Sequence, residues 1–117
     1  MKICAISDLH GILPDNIEKC DLLLIAGDIS PLDIQFNKIE MWKWLNNEFL
    51  IWIKSLPTSK VILIAGNHDA IFTGLSNTKL LELEFNSGWK LKYLKNELYN
   101  HIKEDNTILS IFGTRLS

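Results

Sequence analysis

Leu24-Ile25-Ala26-Gly27-Asp28 and Leu63-Ile64-Ala65-Gly66-Asn67 nearly copy one another, and their shared form decides the fold. Each is a continuous apolar run that breaks at glycine and then offers an oxygen donor. The runs are Leu22 to Ala26 and Val61 to Ala65, and Ile3 to Ile6 is a third of the same kind. None alternates polar with apolar residues, which reads as strands covered on both faces of a mostly parallel sheet. Between the second and third runs, Ile39, Trp42, Leu45, Phe49, Trp52 with Ile53, and Leu56 recur at helical steps until Pro57. Strand, long helix, strand is the crossover unit of an α/β protein.

To either side of this unit the signals are shorter. The first connection, Asp8 to Asp21, carries Gly11 and Pro14. A short helix is expected near Pro14 to Lys19. Beyond Asn67, Thr78 to Phe85 is a candidate helix and Leu91 to Leu94 a candidate short strand. Leu98 to Ile102 and Thr107 to Phe112 read as hairpin strands joined by Glu104-Asp105-Asn106. No linker divides the chain, so residues 1–117 are expected to form a single domain.

Composition narrows the function. The 117 residues are 47% apolar and 22% charged, enough to build a core. Lys plus Arg total 12 against 14 Asp plus Glu, so no basic excess indicates nucleic acid or an anionic membrane. No apolar run of about 18 residues exists, which excludes a helical membrane span. Two cysteines, Cys4 and Cys20, make no disulfide scaffold, and a reduced, cytoplasmic protein is the expectation. Ser7 lacks a Gly-x-Ser-x-Gly elbow, and no phosphate-cradling Gly-x-x-x-x-Gly-Lys loop is present.

The residues just past each strand carry the chemistry. The exits are Ser7-Asp8-Leu9-His10-Gly11, Gly27-Asp28 and Gly66-Asn67-His68-Asp69. Ligands of open parallel sheets bind outside the carboxyl ends of the strands, so Asp8, His10, Asp28, Asn67 and His68 should converge on one edge. Carboxylate, imidazole and amide oxygen suit Mn, Fe, Zn or Mg. The Asp-x-His step should aim both side chains to one side. A carboxylate placed like Asp28 can bridge two cations, and such a pair suits phosphate-ester hydrolysis.

Blander readings stand beside these. Singly, Asp28, Asn67 and Asp69 suit turns or helix caps, and His68 suits a hydrogen-bonded loop. Jointly, turn chemistry does not call for metal donors at three strand ends. His101 reads as a plain strand residue, Cys4 and Cys20 as core fillers, and Trp42, Trp44 and Trp52 as core before base-stacking. Lys90, Lys92 and Lys95 read as solvated side chains.

Asp8-x-His10, Gly27-Asp28 and Gly66-Asn67-His68-Asp69, in this order, resemble the first three motifs of the calcineurin-like metallophosphoesterases. The flanking Ile25-Ala26-Gly27-Asp28-Ile29-Ser30-Pro31 and Ile64-Ala65-Gly66-Asn67-His68-Asp69 are similar to the metallophosphoesterase-domain subgroup. Cyclic-nucleotide phosphodiesterase activity is associated with relatives there. The resemblance covers nearly all of the chain but about the first half of the family's domain. It implies the first half of a two-sheet αββα sandwich, with flanking helices. It implies a small phosphate-ester substrate, cyclic nucleotides among the options, hydrolysed by a hydroxide activated by two divalent metals. Asp8 and His10 would hold the first metal, Asp28 would bridge, and Asn67 would hold the second. His68 would touch the phosphate and protonate the leaving oxygen, oriented by Asp69.

The family's later histidines, including a Gly-His-x-His segment, have no counterpart, and the second metal site is expected to be incomplete. Gly113-Thr114-Arg115-Leu116-Ser117 is similar to a Gly-Thr-Pro-Trp-Ser segment, which suggests a chain cut short. The alternative expectation is therefore a non-catalytic remnant or binding module. Apolar surface left without cover would favour self-association.

Overall fold

The computed structural model describes residues 1–66, 83–85, 88–94, 97–103 and 105–113. Its principal sheet runs β1 (Ile3–Ile6), β2 (Leu22–Ala26), β3 (Val61–Ile64), β5 (Gly88–Tyr93) and β4 (Leu83–Phe85) in spatial order. The first four are parallel, with Ile3 opposite Leu22, Leu23 opposite Val61 and Val61 opposite Leu91. β4 is antiparallel to β5 and closes one edge. A separate hairpin pairs β6 (Glu97–Ile102) with β7 (Ile108–Gly113). The α/β architecture expected from the three apolar runs is the one observed. Among the described residues, no helix is long and apolar enough to cross a membrane.

β2 and β3 are covered on both faces, as continuous apolar runs require. Leu23, Ile25, Val61 and Leu63 face the helix side, with Met41, Leu45, Phe49 and Ile53 in the same core. Leu22 and Ile62 face the opposite side and meet Leu94, Tyr99, Leu109 and Ile111. The hairpin thus forms a second layer over the sheet. β1 departs from the expectation: it is an edge strand. Cys4 and Ile6 pack on the helix-side core, whereas Ile3 and Ala5 are exposed.

The helical stretch comprises α1 (Lys38–Trp44), a wide π-helical turn (Leu45–Phe49) and α2 (Leu50–Ser55). Asn37 caps it: its Oδ1 accepts from the Glu40 amide at 3.1 Å. Leu56 turns extended ahead of Pro57, as a residue preceding proline should. The buried stripe is Met41, Trp44, Leu45, Phe49, Leu50, Trp52, Ile53 and Leu56, while Ile39 and, against the expectation of a core residue, Trp42 are exposed. Along Met41, Leu45, Phe49 and Ile53 each four-residue step overshoots an α-helical turn by about 40°. The π turn takes up that drift and keeps the stripe on the sheet. Trp44 and Trp52 are therefore core residues, with Phe49 ring-to-ring against both.

Three local expectations change. No helix forms at Pro14 to Lys19; the segment is irregular, and Pro14 offers its carbonyl to the Trp52 indole N–H at 2.6 Å. A side chain from another element satisfies this backbone, where a helix would satisfy its own. Leu83–Phe85 is a strand, because β5 supplies it with a pairing edge; the rest of the Thr78 to Phe85 expectation lies outside the described residues. The Leu91 to Leu94 strand begins earlier, at Gly88, and ends at Tyr93. The hairpin closes as expected around Asp105 and Asn106, with Lys103 and Asn106 amides bonded across the turn.

Candidate functional site

The carboxyl edge of the sheet is built from backbone first. Past the end of β1, the chain keeps bonding to the segment leaving β2. The Asp8 amide donates to the Gly27 carbonyl at 3.3 Å, His10 to Asp28 at 3.0 Å, and Gly11 to Ile29 at 2.8 Å. Strand pairing therefore continues into both connections and lays their residues side by side.

Within this ladder Asp8, Asp28 and His10 hold φ of 57°, 55° and 47°. A side chain in the left-handed region is uncommon, though Asp and His enter it more readily than most residues. Each instance costs on the order of 1–3 kcal/mol and persists only where the surroundings dictate it. Gly27, at φ 87°, turns the chain out of β2 and lies against β3; a Cβ there would stand 2.5 Å from the Gly66 nitrogen. Gly66 in turn leaves room for Asp28, whose carboxylate a Cβ on Gly66 would strike. The pair of glycines sets the tips of β2 and β3 in contact and seats Asp28 at the end of β3.

His10 Nε2 faces Asp8 Oδ1 at 4.0 Å, and the His10 Nδ1 is buried. The Asp8 side chain is 66% exposed and takes a hydrogen bond from Ser7 Oγ at 3.0 Å. The two side chains approach as expected, but through two left-handed residues and not through strand alternation.

The structure therefore brings Asp8, His10 and Asp28 to adjacent strand ends. Asn67, His68 and Asp69 lie outside the described residues. Among the described residues no three His, Cys, Asp or Glu side chains close into a metal-holding group. The features that fit a cation here are the donor chemistry, the strained backbone and the glycine-lined seat of Asp28. His101 is a strand residue, as read: its Nδ1 lies 3.1 Å from the Tyr99 hydroxyl, far along the chain from the strand tips. Gly66 as the seat of Asp28, and the left-handed backbone of the three donors, were not anticipated. The duplicated Ala-Gly-Asp and Ala-Gly-Asn endings were the available signal for the former.

Open, mostly parallel α/β sheets as a class bind their ligands outside the carboxyl ends of the strands, the edge at which Asp8, His10 and Asp28 stand here. The model of the calcineurin-like phosphoesterase family matches residues 1–115, and the chain belongs to that family. Members generally use two metal ions and act on phosphate esters. No curated protein and no solved structure matches the chain.

Proposed function

We propose that the chain is a metal-dependent hydrolase of phosphodiesters or phosphomonoesters, small cyclic nucleotides included. The observation that supports this reading is the set of three strained donors, Asp8, His10 and Asp28, on two connections zipped together at the carboxyl edge. Strained residues of this kind cluster at active sites and ligand clamps. Asp8 and His10 would hold one divalent ion, Asp28 would lie between two, and Asn67 would serve the second. When bound, the ions supply charge for the phosphoryl oxygens and a water of lowered pKa. His68 protonates the leaving oxygen, a role that suits an imidazole titrating near neutrality. Asp69 orients it. Gly27 and Gly66 hold Asp28 in place, so its carboxylate needs no rearrangement when substrate arrives.

The test is turnover of bis-p-nitrophenyl phosphate with Mn. Expected is measurable hydrolysis that falls about a hundredfold or more in Asp28→Ala, since metal charge contributes several kcal/mol at tenfold per 1.4 kcal/mol. Absence of turnover, or turnover indifferent to Asp28→Ala, refutes the proposal.

A second reading, a binding module that keeps the fold without metals, draws on the absence of a closed three-donor group among the described residues. Calorimetry with Mn or Zn separates the two. Stoichiometric heat lost in Asp8→Ala favours the hydrolase, and no heat favours the module.

A further inference from the structure

At the amino edge of the principal sheet, opposite the edge that carries Asp8, His10 and Asp28, lies a cleft of about 410 Å³. Asp21 stands just before β2, and Ser59 and Lys60 stand just before β3. His101, Lys103 and Asp105, at the turn end of the β6–β7 hairpin, form the other wall. Lys60, His101 and Lys103 are its basic side chains. The two acids are engaged. Asp21 Oδ2 accepts from the Lys2 amide at 2.7 Å, and Asp105 Oδ1 accepts from the Thr107 hydroxyl at 2.6 Å and the Thr107 amide at 3.0 Å. Nothing in the proposed hydrolysis uses this cleft.

A line of contacts leads from the sheet into it. Lys92 Nζ lies 5.1 Å from the centre of the Tyr99 ring, and that ring lies 6.0 Å from the His101 ring. The Tyr99 hydroxyl is 3.1 Å from His101 Nδ1. Burial pushes the Tyr99 phenol up, so it keeps its proton and can donate to Nδ1. The imidazole proton then stands on Nε2, which becomes a donor. Burial, and then Lys92, hold the Lys60 ammonium below its ordinary range. An anion beside Lys60 would relieve both the lost solvation and the like charge.

We propose that this cleft is a binding site for a terminal phosphate group, held by Lys60, His101 and Lys103. Such a group carries about two negative charges near neutrality and three acceptor oxygens, one for each basic side chain. A carboxylate offers a single charge and fewer oxygens. Clefts of this volume hold small molecules, so there is room for whatever the phosphate is attached to. Asp8 and Asp28 make the carboxyl edge of the sheet acidic, and a phosphate needs cations to approach it. Binding in the absence of metal therefore belongs to the amino edge. The proposal rests on the fold and holds whether or not the chain hydrolyses phosphate esters.

The full chain, stripped of metal and dialysed free of chelator, is titrated with inorganic phosphate and separately with ribose 5-phosphate. Calorimetry gives the affinity, and backbone amide shifts in NMR give the place. Expected is saturable binding with a Kd in the millimolar range or tighter. The shifts should concentrate at Ser59, Lys60, His101 and Lys103 and spare Asp8, His10 and Asp28. Tighter binding of the sugar phosphate would mark a phosphomonoester as the occupant, and tighter binding of inorganic phosphate the free ion. Lys60→Gln and Lys103→Gln should each weaken phosphate binding about tenfold or more, since each removes a charged donor. Succinate should bind at least about tenfold more weakly than phosphate. No saturable binding, shifts confined to the strand tips, succinate held as tightly as phosphate, or an affinity unmoved in both lysine variants would overturn the proposal. Should a variant not fold, the shift map of the parent chain decides alone.

Discussion

Among the described residues, four non-glycine positions hold a positive φ, and they fall in two unlike places. Asn106, at 67°, sits in the turn of the β6–β7 hairpin, with its amide bonded to the Lys103 carbonyl at 3.0 Å. A tight turn needs a left-handed residue and Asn accepts that conformation, so local chemistry explains it. Asp8, His10 and Asp28 crowd instead into two neighbouring connections at the carboxyl edge of the sheet. Closing a turn does not require three such residues, nor that each carry a metal donor. The same dihedral marks ordinary chain reversal in the hairpin and imposed conformation at the strand tips. Only the second needs its surroundings to hold it.

Gly66→Ala puts that contrast under the heaviest load. Its Cβ would stand 2.6 Å from the Asp28 nitrogen and strike the Asp28 carboxylate. A loss of about 3–5 kcal/mol in urea unfolding is expected from overpacking plus displaced backbone. A loss below about 1 kcal/mol would mean that the tips are not rigidly set. Asp8→Gly should move in the opposite direction. It relieves a left-handed side chain and is expected to stabilise the fold by about 1 kcal/mol, while abolishing Mn binding in calorimetry. Stability lost in this variant would show that Asp8 supports the fold and is not strained by it. Asn106→Gly, the control in the hairpin, should change unfolding by no more than about 0.5 kcal/mol, because Asn already suits its turn.

The smallest effect concerns Asp105 in the same turn. The Thr107 hydroxyl, at 2.6 Å, and then the Thr107 amide, at 3.0 Å, hold its carboxyl below the usual aspartate range. A depressed folded value means stability that is present above the unfolded pKa and lost as pH falls through the folded one. Asp105→Asn should therefore be slightly less stable than the parent at neutral pH, and the two melting curves should converge in acid. A gap that stays constant with pH would exclude the carboxylate as its source.

The sheet was legible because β2 and β3 are buried on both faces, and such burial leaves unbroken apolar runs. The hairpin was legible from its turn residues. The helix was read at the right place but on a partly wrong face. Ile39 and Trp42 fit a plain helical period, whereas Met41 and Trp44 are the residues buried, and the π turn shows in the spacing only as the unbroken four-residue steps from Met41 through Leu45 and Phe49 to Ile53, which a plain helical period passes over. Its start could have been found, since Asn37 followed by Glu40 is a capping pattern. β4 was misread because its strand character comes from the neighbouring β5 edge and not from its own residues. Of the site, the positions of Asp8, His10 and Asp28 followed from the rule that strand ends carry function. Their backbone conformation did not, because Asp and His are compatible with several φ values and contacts between distant strands choose among them.

The bonds that run past the sheet from Asp8, His10 and Gly11 to Gly27, Asp28 and Ile29 have a dynamic consequence. Neither connection can breathe without its neighbour, since each opening must unzip the shared rungs from the free end inward. Their amide protons should thus trade with solvent in concert, in the manner of one small cooperative unit. A blow to either loop would be felt in both.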